Sequence, residues 1–318
     1  MLLDLFVTHW TEPWEVGKAG FEILSLQRAV DWTQIRITLV HDGTEVFPAD
    51  YFAGFPFTVH QVSIPHGGIA AARNWCIDHS DADWIKWNDF DDMFAGVYSL
   101  RNIMSVLDND RFDMLWFDLL HDDHGKVFRR TERNPVFVHD KVFRREFLQK
   151  KSIRFNEKLT WCEDSAFLAL VEMDIDHQRI GKIKADAPIY LYIVRDGSLC
   201  NRPEIKFANL KSFFLRHCYV ADEMLKRGLT ASHNTMCVRV MADSYYTLEK
   251  ATDIPEDKSE FAAEVWAWYE KHKDAIGDCT RSDFGRVIAA VNRERFDSGG
   301  ITGEEFIRWI RNHERGEM

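Results

Sequence analysis

The sequence lacks the features by which several protein classes are recognised. Its six cysteines include no Cys-X-X-Cys pair and no zinc-ligand spacing, so we expect reduced and mostly buried thiols. No apolar run approaches the length of a membrane span, and Asp4 stands where a signal peptide would carry its basic leader and apolar core. These absences predict a cytoplasmic protein.

An excess of positive charge is also missing. The 318 residues carry a formal net charge of −11 at pH 7, which argues against broad electrostatic capture of nucleic acid or of an anionic membrane. We find no internal repeat and no low-complexity segment. The length and the ordinary apolar content fit one large α/β domain, or one domain with an appendage.

The first two hundred residues show an alternation of strand-like and helix-like patterns. Residues 21–30 and 69–77 have helical spacing of apolar residues, and the second of these follows a glycine pair, Gly67 and Gly68. Strand, helix and strand at this pitch predict a parallel βαβ unit with a right-handed crossover. The predicted strands cover residues 2–8, 35–40, 57–62, 84–87, 111–120 and 187–194.

Three carboxylates follow the predicted strand at residues 84–87. Side chains alternate along an extended segment, so Asp89 and Asp91 are expected to point the same way and Asp92 the other. Ligands of open α/β sheets bind beyond the carboxyl ends of the strands, and carboxylate oxygens suit Mg²⁺ or Mn²⁺. The alternative interpretation is an acidic turn that only ends the strand.

Two stretches together carry a resemblance to a known family. A strand, a glycine, a helix with Arg73 and Asn74, and a strand ending in Asp-X-Asp-Asp resemble the donor-binding core of family 2 glycosyltransferases with the GT-A fold. In residues 139–171 a predicted Lys/Arg-rich helix, an Ile-Arg-Phe-Asn-Glu turn and the Glu163-Asp164 pair follow in the family's order. The resemblance implies a GT-A-type, Rossmann-like and mostly parallel α/β sheet flanked by helices.

The resemblance also implies a reaction and a set of site residues. The reaction is transfer of a sugar with inversion, from a nucleoside-diphosphate sugar such as a UDP-sugar to a hydroxyl acceptor, assisted by Mn²⁺ or Mg²⁺. Asp164 is then the catalytic base, and Asp91, with Asp89 nearby, holds the metal. Glu163 and Asp92 face the acceptor. The donor contacts implied are Thr8, His9, Trp10, Asp42, Arg73, Asp89 and Arg195.

Several of these residues also have a plain structural interpretation. Asp164 can be the N-cap of a helix, a role worth about 1 kcal/mol. Asp42 can cap its own Asp-Gly turn, and Arg73 can be a solvated arginine on a helix face. Asp92 can brace its loop instead of binding the acceptor. The order of the two motifs favours the functional interpretation of Asp164.

The likeness ends near residue 200 and divides the chain. We predict a glycosyltransferase domain over residues 1–200, with a donor half at 1–110 and an acceptor half at 111–200. The rest, 201–318, is predicted to be a helical C-terminal extension, which carries no chemical motif and is a candidate for self-association. Its predicted helices cover residues 204–227, 231–251, 255–276 and 282–295, followed by a last helix with a capping box at Thr302 and Glu305.

Other functions are compatible with parts of the pattern. A haloacid dehalogenase-type phosphatase would use Asp89 and Asp91, but in that family the Asp-X-Asp follows the first strand. A metal-dependent nucleotidyltransferase would also use paired acids, but no basic glycine-rich loop follows the first strand here. A catalytically inactive sugar-nucleotide-binding protein is a further alternative. The acceptor stays open among a glycan, a lipid-linked glycan, a protein and a modified nucleobase.

Overall fold

The chain forms two compact units, Met1–Asn201 and Arg202–Met318, in a computed structural model. The structure describes residues 1–195, 206–252, 254–294 and 300–317. The predicted turn at 196–198, Cys200 and the expected start of the first tail helix at 204 lie outside the described residues. The domain boundary predicted near residue 200 lies there too. The five described cysteines form no disulfide.

Eleven strands form two sheets in the described part of the first unit. They are β1 (Leu3–His9), β2 (Ile35–Asp42), β3 (Val59–Ile64), β4 (Trp84–Asp89), β5 (Met93–Phe94), β6 (Met114–Trp116), β7 (Leu119–Asp123), β8 (Lys126–Arg130), β9 (Lys141–Arg144), β10 (Ile180–Lys182) and β11 (Tyr190–Val194). The larger sheet has the order β10-β6-β9-β4-β1-β2-β3, and the smaller one has the order β5-β11-β7-β8.

The larger sheet is mostly parallel. Strand β1 pairs in parallel with β2 and β4, β2 with β3, and β10 with β6, whereas β9 runs antiparallel between β4 and β6. All seven residues of β1 are buried, as expected for a parallel strand with both faces covered. The predicted mixed α/β architecture with a mostly parallel sheet is therefore confirmed.

The register of the central strands brings polar residues together at one edge of the sheet. Thr8 on β1 lies opposite Asp89 on β4, and His9 lies opposite His41 on β2. Because these strands are parallel, their carboxyl ends share that edge, where ligands of open α/β sheets bind. Asp42, at the end of β2, and Asp89, at the end of β4, therefore lie along the same edge of the sheet.

Five α-helices lie in the described residues of the first unit. They are α1 (Trp14–Ser25), α2 (Gly68–His79), α3 (Ser99–Leu107), α4 (Arg145–Lys150) and α5 (Glu163–Asp174). Helix α2 begins at Gly68, whose φ of 83° lies in the left-handed region that favours glycine. The helix predicted over residues 69–77 thus forms, with slightly wider bounds.

The first predicted helix is placed too far along the chain. We expected it over residues 21–30, but α1 covers Trp14–Ser25. Pro13 immediately precedes it, and proline is well tolerated at a helix start. Ala29 has a φ of 54°, which excludes a regular right-handed helix there. A helix was correctly predicted in this region, and both of its predicted bounds were wrong.

The secondary structure of residues 111–195, within the predicted acceptor half, differs more from the prediction. Residues 111–120 form two strands, β6 and β7, in different sheets, and not one strand. Between them the amide of Phe117 donates to the carbonyl of Asp140, and the carbonyl of Asp118 accepts from Ile189, so the chain changes sheets. Strand β8 occupies residues 126–130, where no strand was expected. The predicted basic helix after residue 139 begins only after strand β9, because Val142 and Phe143 are core residues.

The second unit is helical in its described residues. Its helices are α6 (Lys206–Lys226), α7 (Thr230–Tyr245), α8 (Ser259–Gly277), α9 (Arg281–Glu294) and α10 (Gly303–Glu314), with a π-helical turn at Tyr246–Lys250 after α7. The capping box predicted at Thr302 and Glu305 is confirmed, since the Thr302 hydroxyl accepts the Glu305 amide at 3.2 Å. Among the described residues, none of the helices is both long and apolar enough to cross a membrane.

Gly20 on α1 offers a test of how closely this helix packs on the acidic loop. A Cβ at Gly20 would lie 2.7 Å from the backbone oxygen of Asp92. We expect Gly20→Ala to lower the free energy of unfolding by about 1–3 kcal/mol, because the loop must shift. Gly96→Ala is the control, since its Cβ would meet nothing nearer than 3.9 Å. Denaturant titration measures both, and a gain in stability for Gly20→Ala would contradict the packing.

Candidate active site

The site is centred on the guanidinium of Arg73, which is buried on helix α2. Its Nη2 donates to Asp89 Oδ1 at 2.9 Å, and its Nη1 donates to Glu163 Oε1 at 3.0 Å and also to Asp164 Oδ1. One cation therefore contacts the acid at the end of β4 and both acids at the start of α5. The three predicted residues Asp89, Glu163 and Asp164 lie in one place.

Burial and crowding of these acids set their protonation. Burial raises the pKa of Asp164 to about 7, because the attraction of Arg73 only partly offsets desolvation and the repulsion by Glu163 and Asp89. Burial also raises the pKa of Glu163. Burial disfavours ionised Asp89 as well, but Arg73 and His139 outweigh it and lower its pKa. Asp89 is therefore ionised at neutral pH, and Asp164 titrates near neutral pH.

Asn74, the neighbour of Arg73, holds the turn that precedes helix α5 through hydrogen bonds to Phe155 and Glu157. Its side-chain amide donates to the carbonyl of Phe155 at 3.0 Å and to Glu157 Oε1 at 2.9 Å, and its oxygen accepts the Phe155 amide at 2.9 Å. Residues 155–157 belong to the turn that precedes α5. The Arg-Asn pair of α2 thus holds both the acids and the turn that leads to them.

The three acids after β4 do not follow the alternation of an extended segment. Strand β4 ends at Asp89, and the amide of Asp92 donates back to the Asp89 carbonyl at 3.2 Å, which closes a turn. As a result Asp89 and Asp92, and not Asp89 and Asp91, come together with His139. The expected orientation of these side chains was wrong, because the strand stops before the second acid.

Asp91 and Asp92 have different neighbours. Asp91 Oδ2 accepts from Nε of Arg195 at 2.7 Å, so the predicted donor residue Arg195 lies against the acid cluster. Asp92 is buried, and its two oxygens accept from the amide of Ile193 at 2.9 Å and the hydroxyl of Tyr190 at 3.1 Å. Asp92 therefore braces its loop against strand β11, which is the alternative weighed above.

Asp42 lies at the edge of the sheet with its carboxylate already engaged. Its Oδ1 accepts the amide of Gly67 at 2.8 Å, and its Oδ2 accepts the amide of Gly68 at 2.9 Å and lies 2.9 Å from Nδ1 of His66. The indole of Trp10, 43% exposed, stacks on the ring of His66 at a centroid distance of 5.5 Å. Asp42 thus secures the turn before α2, and Trp10 presents an open aromatic face beside it.

The side chains of Thr8 and His9 are buried. Nδ1 of His9 lies 2.9 Å from Nδ1 of His41, and its ring packs on Phe47 and Phe90. Burial lowers the pKa of His9 and lowers that of His41 to about 4. Both rings are therefore neutral at pH 7. The Thr8 hydroxyl is buried without a hydrogen-bond partner among the described residues.

Two buried residues of the site were missed in the sequence. His139 precedes β9, and its Nδ1 lies 3.7 Å from Asp89 Oδ2. Lys86 on β4 donates from Nζ to the His139 carbonyl at 2.8 Å and to Asn88 Oδ1 at 2.6 Å, and burial lowers its pKa to about 7. No local sequence pattern indicates them, because they come together through the antiparallel pairing of β9 with β4, in a segment that was predicted to be helical.

Among the described residues, Asp89, Asp92 and His139 form a group that could hold a metal ion. One ligand atom from each lies within 4.8 Å of the others. The set combines two carboxylates with an imidazole, a donor set that suits a divalent first-row metal. Two arginines contact four of the five carboxylates of the cluster, Arg73 with Asp89, Glu163 and Asp164, and Arg195 with Asp91, whereas Asp92 has no arginine contact among the described residues.

Comparison with known proteins identifies the family of this domain. Residues 23–179 match the model of the family described as glycosyl transferase family 2. The match spans the acids at Asp89 and Asp164. No curated protein matches the chain by sequence.

The fold has counterparts among solved structures, of which 237 chains match. S. aureus TarS matches with a TM-score of 0.53 and 15% identity over 86% of this chain and 54% of that one, so the chain spans about half of the longer protein. The structure of TarS 1-349 with UDP-GlcNAc matches with a TM-score of 0.53 and 15% identity over 93% of each chain. The form with UDP matches with a TM-score of 0.52 and 15% identity over 95% of each chain. At this identity the likeness establishes the GT-A fold.

Removing Arg73 tests whether its charge holds the acids together. Arg73→Met leaves three carboxylates without their shared cation, so we expect the free energy of unfolding to fall by about 3–5 kcal/mol at pH 7. The loss shrinks as the pH falls, because the freed acids then take up protons. Arg101→Met, on the surface of α3, is the control. Denaturant titration at pH 7 and pH 5 measures the effect, and an equal loss at both would contradict this role.

Proposed function

Because residues 23–179 of this chain form a glycosyl transferase family 2 domain, we propose that the protein is an inverting, metal-assisted glycosyltransferase that moves a sugar from a nucleoside-diphosphate sugar to a hydroxyl acceptor. The observation that carries the proposal is the shared contact of Arg73 with Asp89 and Asp164. The two acids proposed as metal ligand and proton acceptor, Asp89 and Asp164, thus contact the same guanidinium, which supports the proposal. A single sugar between them could therefore meet both.

Asp164 is the catalytic base in this proposal. Its pKa near 7 means that a large fraction is ionised at neutral pH and that it still holds a proton well once it has accepted one. As the new glycosidic bond forms, the acceptor hydroxyl passes its proton to the Asp164 carboxylate. Val138 donates its amide to Asp164 Oδ2 at 3.2 Å and, with Arg73, fixes the direction of the carboxylate.

The leaving group lies on the opposite side of the sugar. Asp89 and a second acid after β4 would hold a divalent cation, with Mn²⁺ and Mg²⁺ as the candidates. The sequence pattern names Asp91 as the second acid, whereas the group of ligand atoms in the structure includes Asp92. A bound cation supplies Lewis-acid stabilisation of the charge that develops on the departing diphosphate. Arg195, now against Asp91, is placed to contact that diphosphate as well.

The donor is proposed to be a UDP-sugar. The support is the fold shared with TarS, whose structures contain UDP and UDP-GlcNAc. The exposed face of Trp10 offers a surface on which a base can stack, near the predicted donor residues Thr8, His9 and Asp42. In this arrangement the base lies at the β1 and β2 end of the sheet edge, and the diphosphate lies at Asp89.

The division of labour follows the two halves of the first unit. Residues 1–110 bind the donor, and residues 111–200 bind the acceptor, with Glu163 and Asp92 at the boundary. Residues 201–318 form a helical extension that we propose as a surface for self-association. The competing function is an inactive sugar-nucleotide-binding protein. Metal-dependent binding of UDP-sugars, without hydrolysis or transfer of any of them, would favour that competitor.

Two isosteric substitutions separate donor binding from chemistry. We expect Asp164→Asn to bind UDP with Mn²⁺ as the wild type does and to lose transfer by about 100- to 10,000-fold, because the amide cannot accept the proton. Asp89→Asn is expected to lose metal-dependent UDP binding. Isothermal titration and a radiolabelled donor assay measure the two properties. Near-normal turnover by Asp164→Asn would show that the base lies elsewhere.

The pH profile tests the ionisation of Asp164 directly. Because its pKa lies near 7 and the ionised form accepts the proton, the transfer rate is expected to fall about tenfold per pH unit below 7 and to level off above it. The measurement is kcat from pH 5 to 9 at saturating donor and Mn²⁺. A rate that stays constant down to pH 5 would contradict an acid of raised pKa as the base.

A further inference from the structure

His139 is a buried histidine whose ring nitrogens are not satisfied by the protein. It is 2% exposed, and neither Nδ1 nor Nε2 has a hydrogen-bond partner among the described residues. The nearest acid atom is Asp89 Oδ2, 3.7 Å from Nδ1, which is too long for a hydrogen bond. Buried polar groups are normally paired, so this ring is placed for a partner that the polypeptide does not supply.

The ring is held in a fixed orientation. Its faces stack on Phe137, at a centroid distance of 4.8 Å, and on Tyr190, at 5.1 Å. The carbonyl of His139 accepts from Nζ of Lys86 at 2.8 Å, so its backbone is tied to strand β4. With both faces covered, the nitrogen-bearing edge of the ring is what remains to meet a ligand, and that edge approaches Asp89.

A second acid completes the group. Ligand atoms of Asp89, Asp92 and His139 lie within 4.8 Å of one another, close to the roughly 4.2 Å that separates opposite ligands at about 2.1 Å from one ion. Asp92 is buried and receives its hydrogen bonds from neutral donors, Tyr190 and Ile193. Asp91, in contrast, is paired with Arg195.

We propose that His139 is a direct nitrogen ligand of the divalent cation, together with Asp89 and Asp92. The inference rests on the proposed function, because it specifies the ligands of the cation that assists transfer. Imidazole nitrogen is a better ligand for Mn²⁺ and the later first-row metals than for Mg²⁺, which prefers oxygen. The proposal therefore predicts a site that favours Mn²⁺ over Mg²⁺, and it assigns Asp91 to Arg195 and not to the metal.

The test is the electron spin-echo envelope modulation of Mn²⁺ bound to the full chain. We expect nitrogen coupling in the wild type that changes when the histidines carry ¹⁵N, a result that needs no variant. The coupling disappears in His139→Gln and persists in His121→Gln, a control whose ring meets Tyr192 edge-on, on which the ring of His139 stacks. Titration of Mn²⁺ is expected to show affinity at least about tenfold weaker in His139→Gln, with a smaller change for Mg²⁺.

Substitution of the two acids that follow Asp89 tests which of them binds the cation. Asp92→Asn is expected to weaken Mn²⁺ binding more than Asp91→Asn does, and the reverse order would overturn the proposed set. Absence of nitrogen coupling in a wild-type protein that still transfers sugar with Mn²⁺ would overturn the role of His139 and leave the proposed function intact. A protein that shows the nitrogen coupling but neither binds nor cleaves any sugar nucleotide would instead overturn the proposed function.

Discussion

The structure of the site depends on one buried guanidinium. Arg73 contacts Asp89, Glu163 and Asp164, which come from a strand and a helix more than seventy residues apart in sequence. Buried carboxylates repel one another, and their desolvation is costly unless a cation compensates it. Without this contact the acids would have to separate or take up protons. The end of strand β4 and the start of helix α5 are thus held together by one buried guanidinium.

That arrangement explains why the two acids of the proposed reaction differ in protonation. Asp89 receives Nη2 of Arg73 and is also influenced by His139, so it stays ionised. Asp164 shares Nη1 with Glu163 and is repelled by its neighbours, so its pKa rises. A metal ligand must be ionised, and a general base works best with a pKa near the working pH. Arg73 therefore supports both proposed roles, since its Nη2 contacts the proposed metal ligand Asp89 and its Nη1 contacts the proposed base Asp164.

The sequence predicted the parts of the site that depend on local order. Asp89, Arg73 and Asp164 were singled out because the order of the motifs that contain them resembles that of family 2 glycosyltransferases. Tertiary pairing decided the rest. The carboxylate of Asp42 accepts hydrogen bonds from amides 25 and 26 residues away. His139 lies near the acids because it precedes strand β9, whose antiparallel pairing with β4 no local pattern indicates. The central parallel sheet followed from apolar periodicity, whereas the switch of sheets after Trp116 did not.

The most direct measurement of the central claim is a crystal structure of the protein with Mn²⁺ and a non-transferable UDP-sugar analogue. We expect the diphosphate to lie beside Asp89 and the anomeric carbon to lie between the diphosphate and Asp164. An Asp164 oxygen would then lie on the face of the sugar opposite the leaving group, within hydrogen-bond reach of an acceptor hydroxyl. A sugar bound with its anomeric carbon turned away from Asp164, or a diphosphate that does not approach Asp89, would contradict it.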